Sequence, residues 1–170
     1  MNLHPILIPL AAAFPLVGCS PDPLTSPSEA AGPTLALSSA TPNFNLEVIL
    51  LPTGNSGFGL VKFRQPKDDA FIVYLDTWVR DLAPSTDYRL ERAVDVTVDD
   101  DCSSTDWLTL GQGLAPFAIA TDDQGDGRAA LWRGVPALPG TEFDIHFRVI
   151  EDGTSNVVLQ SECYQYTIIQ

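Results

Sequence analysis

The six residues Asp122-Asp123-Gln124-Gly125-Asp126-Gly127 put three carboxylates and two glycines on one short turn. A calcium loop can be built from such parts, because hard cations take several oxygen ligands at once. Asp122, Asp123 and Asp126 are therefore the candidate metal ligands, and Ca2+ the candidate cofactor. The EF-hand template is not met: counted from Asp122, the sixth residue is Gly127, but the twelfth is Arg133 where a bidentate glutamate is required. Counting from Asp123 puts Gly125 and Gly127 at ligand positions. A looser site shared with Asp99-Asp100-Asp101 or with Asp68-Asp69 stays open, and a hydrolase using an acidic loop pair would draw on the same carboxylates. The plainer reading is an exposed turn in which Asp and Gly supply the backbone conformations.

Nucleophilic catalysis has less to work with. His146 is the last of two histidines and lies in Phe143-Asp144-Ile145-His146-Phe147-Arg148-Val149. Strand alternation sends the phenylalanines, isoleucine and valine to a core, so Asp144, His146 and Arg148 share the opposite, solvated face. No G-x-S-x-G elbow accompanies them. Gly54-Asn55-Ser56-Gly57 has the wrong spacing for one. A zinc site would have one histidine and would need mainly carboxylates, which zinc seldom uses. Gly111-Gln112-Gly113-Leu114-Ala115-Pro116 begins like a dinucleotide fingerprint and ends in proline, with no helix to receive phosphate. These glycines read as turns, and no catalytic residue is assigned.

One binding surface is suggested by aromatics. If Phe71, Val73, Leu75 and Val79 face the core, Tyr74 and Trp78 stand together on the other face beside Asp76 and Arg80. Such a pair can stack on sugar rings or on a protein partner. Otherwise the rings are covered by cations such as Arg64 or Arg92.

Composition narrows the partners. With 22 acidic and 9 basic side chains the net charge is −13, which repels phosphate backbones and anionic lipid surfaces, so nucleic acid is excluded as a partner. A hydrophobic content of 45% in 170 residues is enough for one domain with a real core.

The N-terminal segment Leu3 to Val17 is apolar, too short for a membrane span, and interrupted by Pro5, Pro9 and Pro15. It reads as a signal peptide over residues 1–18. Its end, Leu16-Val17-Gly18-Cys19, resembles the lipobox of bacterial lipoproteins. That resemblance implies cleavage before Cys19 and diacylglycerol on its sulfur, so that acyl chains tie the protein to a membrane and its globular part needs no membrane-binding surface. It also implies a cell-envelope address. Ser20 stands where an aspartate would resemble an inner-membrane retention signal, which points to the outer membrane in a two-membrane cell and otherwise to the outer face of the plasma membrane. Removing Cys19 for lipid leaves Cys102 and Cys163, expected to pair as a disulfide in an oxidising compartment. Residues 19–43 carry the lipidated cysteine and a Pro/Ser-rich tether that cannot bury enough surface to order itself.

Residues 44–170 change to period-two segments separated by Gly, Pro, Asp and Asn, with no helical pattern of useful length. About nine strands are expected, at 44–51, 58–64, 70–80, 87–98, 107–110, 116–121, 128–135, 142–151 and 156–169. That predicts an all-β domain, an antiparallel two-sheet sandwich, with an up-and-down barrel as its rival. Leu82-Ala83-Pro84-Ser85-Thr86-Asp87-Tyr88 resembles the L-x-P-x-T-x-Y corner of fibronectin type III and other immunoglobulin-like domains. The resemblance implies that Tyr88 packs inward while its hydroxyl bonds the preceding loop. The function expected is a lipid-anchored, non-enzymatic binding or structural module for an envelope protein or glycan. The alternatives are the acidic-loop hydrolase and a carbohydrate-binding module built on Tyr74 and Trp78.

Overall fold

The computed structural model describes residues 45–67 and 70–169. The signal peptide, Cys19, the tether and Asp68-Asp69 lie outside the described residues. The described chain is all β, in twelve strands: β1 (Asn45–Pro52), β2 (Phe58–Arg64), β3 (Ile72–Arg80), β4 (Asp87–Asp95), β5 (Leu108–Thr109), β6 (Gly111–Gln112), β7 (Ala115–Pro116), β8 (Ile119–Ala120), β9 (Gly127–Gly134), β10 (Glu142–Glu151), β11 (Val157–Ser161) and β12 (Tyr164–Thr167). The strands of seven residues or more are those expected from the alternation, whereas the single strand expected at 156–169 is broken into β11 and β12, which pair with different parts of β10. Among the described residues no helix is long and apolar enough to cross a membrane.

The hydrogen bonding does not divide into two sheets. One sheet runs β5-β4-β10-β11-β1-β2-β3-β9-β6-β7, with β12 on β10 and β8 on β4. All pairings are antiparallel except β6 on β9, where Gln112 is partnered with Trp132. The outermost long strands, β4 and β9, are linked by the segment between them. Leu108 and Thr109 pair with Arg92 and Glu91 of β4, while three residues further on Gln112 reaches β9. A second crossing follows, in which Ile119 and Ala120 pair with Tyr88 and Asp87 and Thr121 bridges to Gly127. These short crossings bring the two edges together, so the sheet curls nearly into a barrel. They also leave less of either edge open to pairing with another chain.

Inside the curl lies one continuous core that includes Val48, Leu50, Val61, Phe63, Leu75, Leu90, Leu131, Phe147, Val149 and Leu159. Every long strand contributes alternate residues to it, as a half-buried strand must. In β3 the inward residues are Val73, Leu75, Thr77 and Val79, and Tyr74 and Trp78 point out. That is the register expected, except that Phe71, with φ of 50°, lies before the strand. Gln65 fastens the C-terminal residues across the barrel end. Its amide donates to the Ile169 carbonyl at 3.0 Å and its Oε1 accepts from Ile169 N at 3.1 Å and from the Tyr166 hydroxyl. Burial pushes the Tyr166 phenol above its usual range.

The corner before β4 has the expected geometry. Tyr88 is 2% exposed, and its hydroxyl accepts a hydrogen bond from Ala83 N at 3.1 Å. The acidic turn docks on the same corner: Ser85 N donates to the Asp122 carbonyl at 2.9 Å and Leu82 N to the Gly125 carbonyl at 3.2 Å. Thr121 Oγ1 donates to the Ala83 carbonyl and accepts from Thr86 N. Gly125 has φ of +85°, and a Cβ there would stand 2.2 Å from the Leu82 carbonyl oxygen, so only glycine fits. Tyr88→Phe keeps the ring and orphans the Ala83 amide, and is expected to lower unfolding free energy by about 1 kcal/mol. A chemical-denaturation midpoint equal to that of the parent protein would contradict this account of the corner.

Candidate functional site

Each candidate of the sequence can be followed to its place. In the acidic turn the Asp122 carboxylate is already engaged, with Oδ1 accepting from Gln124 N at 2.9 Å and Asp126 N at 3.0 Å. The bond from Asp126, then that from Gln124, holds its acid strength above that of a free aspartate. This is the carboxylate of a turn closing on its own backbone. A shallow groove beside it is lined by Trp78, Arg80, Asp122, Asp126 and Arg128, so two arginines share the space with the carboxylates. Among the described residues no group of three or more His, Cys, Asp or Glu is placed to hold a metal ion.

The polar face of β10 differs from expectation. Asp144, His146 and Arg148 do share one face, but it is covered rather than solvated: Asp144 is 0% and His146 5% exposed. The cover is the loop from Val96 to Trp107, pinned to the body by the Cys102–Cys163 disulfide, whose Cα atoms are 5.4 Å apart. Asp144 Oδ2 accepts from Asp99 N at 2.9 Å and Asp100 N at 2.8 Å. His146 Nε2 lies 3.1 Å from the Ser104 carbonyl, and the Trp107 ring packs on both the His146 ring at 4.6 Å and the Arg148 guanidinium at 4.0 Å. Arg148 in turn bonds Glu91 at 2.7 Å. Alternation shows which residues share a face, but not that a twelve-residue loop lies on it. Of the four aspartates of that loop, Asp99 and Asp100 serve the same packing through their backbone amides.

Of the aromatic pair, Trp78 is half-buried beneath two cations, with Arg128 4.7 Å and Lys62 5.8 Å from its ring. The covering residues are not those named as candidates: Arg64 bonds Asp76 at 2.7 Å, and Arg92 faces inward. Tyr74 is exposed, and the residue directly opposite it on β9 is Trp132, also exposed. Trp132 is wrapped against the barrel-closing turn: Gly113, with φ of +67°, would drive a Cβ to within 2.8 Å of its ring. Tyr74 and Trp132 thus form an outward aromatic pair, while Tyr74 and Trp78 sit two rows apart.

One constellation was missed. A cavity of about 50 Å3 opens at the end of the barrel beside the exposed Gly134 and Pro136. Its walls include the rings of Phe63, Phe143, Phe147 and Tyr166 and the side chains of Arg92 and Arg133. The rings meet edge to face, Phe63 with Tyr166 at 4.6 Å and Phe143 with Tyr166 at 5.1 Å. Among the described residues neither arginine has a carboxylate partner. Arg133 makes one long bond, 3.5 Å, to the Gly113 carbonyl. Burial, and then the nearby charge of Arg133, make the Arg92 guanidinium a weaker base than usual. The signal was in the sequence: Tyr88, Leu90 and Arg92 have one parity, as do Ala129, Leu131 and Arg133, so each inward row carries an arginine.

No family model, no curated protein and no solved structure matches the chain.

Proposed function

We propose that this chain is a lipid-anchored, non-enzymatic binding module of the cell envelope, held by acyl chains on Cys19 and exposing its β domain outside the cytoplasm. The observation that carries the reading is the Cys102–Cys163 disulfide. A bond between these two cysteines suits an oxidising compartment, and it leaves Cys19, of three cysteines, as the one thiol free for lipid. The lipobox-like Leu16-Val17-Gly18-Cys19 supplies the position. The domain is read as an immunoglobulin-like sandwich whose sheets are joined at their edges, on the support of the Tyr88 corner. The non-enzymatic reading draws on the local engagement of the acidic turn and of the β10 polar row.

Detergent-phase partition tests the anchor. The native protein is expected in the detergent phase, with an N-terminal peptide heavier than bare polypeptide, and Cys19→Ser is expected in the aqueous phase. Equal partition of the two, or a native chain that begins upstream of Cys19, overturns the proposal.

A second reading, a carbohydrate-binding module, is supported by the outward pair Tyr74 and Trp132. It moves the stacking surface away from Trp78, whose ring is occupied by Lys62 and Arg128.

A further inference from the structure

Two arginines at the mouth of an apolar cavity are unusual in a chain of net charge −13. Of its nine basic residues, Lys62, Arg64, Arg89 and Arg148 are paired with carboxylates. Arg128 lies on Trp78. Arg92 and Arg133 are both half-buried, both line the cavity, and lie close enough to repel. Holding two half-buried like charges close together without a counter-ion is costly, because the solvent they lose is replaced only by the long bond from Arg133 to the Gly113 carbonyl. An anion seated between them would relieve both penalties through charge-assisted hydrogen bonds, for which the guanidinium fork is well shaped. The cavity beneath then selects what the anion carries. Its walls are aromatic and aliphatic, and about 50 Å3 is room for roughly three or four water-sized groups. A bare inorganic anion would leave that apolar space unused, and a long acyl chain would not fit in it.

We propose that this cavity binds a small carboxylate with a short alkyl chain, the chain lying against Phe63, Phe143, Phe147 and Tyr166 and the carboxylate held by Arg92 and Arg133. The inference deepens the binding-module reading by naming a ligand class for it. It does not depend on where the lipid is attached.

The test is calorimetric titration of the full-length oxidised protein with pentanoate, pentanamide, acetate and inorganic phosphate. Pentanoate is expected to bind saturably. Pentanamide, which keeps the chain and loses the charge, is expected to bind at least tenfold more weakly, as are acetate and phosphate, which keep the charge and lose the chain. Arg92→Gln and Arg133→Gln are each expected to weaken pentanoate at least tenfold, whereas Arg80→Gln, an exposed arginine outside the cavity, leaves it unchanged. Pentanamide binding as tightly as pentanoate overturns the role of the arginines without any variant having to fold. Phosphate or acetate binding as tightly overturns the role of the apolar wall, and silence toward all four probes overturns the site. None of these outcomes alters the detergent partition of the Cys19 pair, so failure of the ligand and failure of the anchor are read separately.

Discussion

Cys102→Ser with Cys163→Ser is expected to lower the unfolding free energy by about 4 kcal/mol, the loop-closure entropy that a cross-link over a separation of 61 residues removes from the unfolded chain. A domain of this size commonly has about 5–15 kcal/mol in total, so the change should shift a denaturation midpoint far outside error. The folded state loses something as well. The loop that the bond pins carries few apolar anchors: Val96 is 90% exposed, and the loop is held mainly by the amides of Asp99 and Asp100 on Asp144, by Ser104 on His146 and Asp95, and by Trp107. Released, it should expose Trp107 and shift its fluorescence to the red. The parent protein with reductant should match the double variant, and reductant should do nothing further to the variant. A double variant as stable as the parent would mean that the loop is held without the cross-link.

Period-two alternation made the long strands legible, because apolar residues alternate with polar or aromatic ones along each: Val73, Leu75 and Val79 against Tyr74 and Trp78 in β3, and Ile145, Phe147 and Val149 against Asp144, His146 and Arg148 in β10, whose polar row is nonetheless buried under a loop. The corner was legible too, since Tyr88 and Ala83 are five residues apart and their bond is local. The closure of the sheet was not. It depends on β5, β6, β7 and β8, each two residues long, and a two-residue strand has no period to read. The fate of a polar face was likewise hidden. Asp144, His146 and Arg148 look the same in sequence whether water or a loop lies over them, and the Cys102–Cys163 bond, though expected, does not by itself say which strand face its loop covers. The arginine cavity lay between these cases. Arg92 and Arg133 sit at inward parity, which was readable; that β4 and β9 converge on the same barrel end follows from the crossing at 108–112, which was not.

Phe147→Ala tests whether that barrel end is a packed core with one small hollow or a loosely filled mouth. Phe147 is 0% exposed, pairs in register with Arg92, and meets Phe63 edge to face at 6.3 Å. Removing its ring deletes buried contacts and leaves a void that the rigid strands on either side can only partly collapse into, so the expected loss is about 3–5 kcal/mol. Phe143, two periods of the alternation away on the same face of β10, is only partly buried, and Phe143→Ala should cost clearly less, because water or a shifted Tyr166 can take up its space. Phe147→Leu, which keeps most of the volume, should stay within about 1.5 kcal/mol of the parent. The order Phe147→Ala, then Phe143→Ala, then Phe147→Leu in denaturant midpoint is the signature of a wall with graded burial. If both alanine variants lose the same small amount, Phe147 is not closing the inner end of the cavity, and the two arginines would stand over a space open to water instead of an apolar floor.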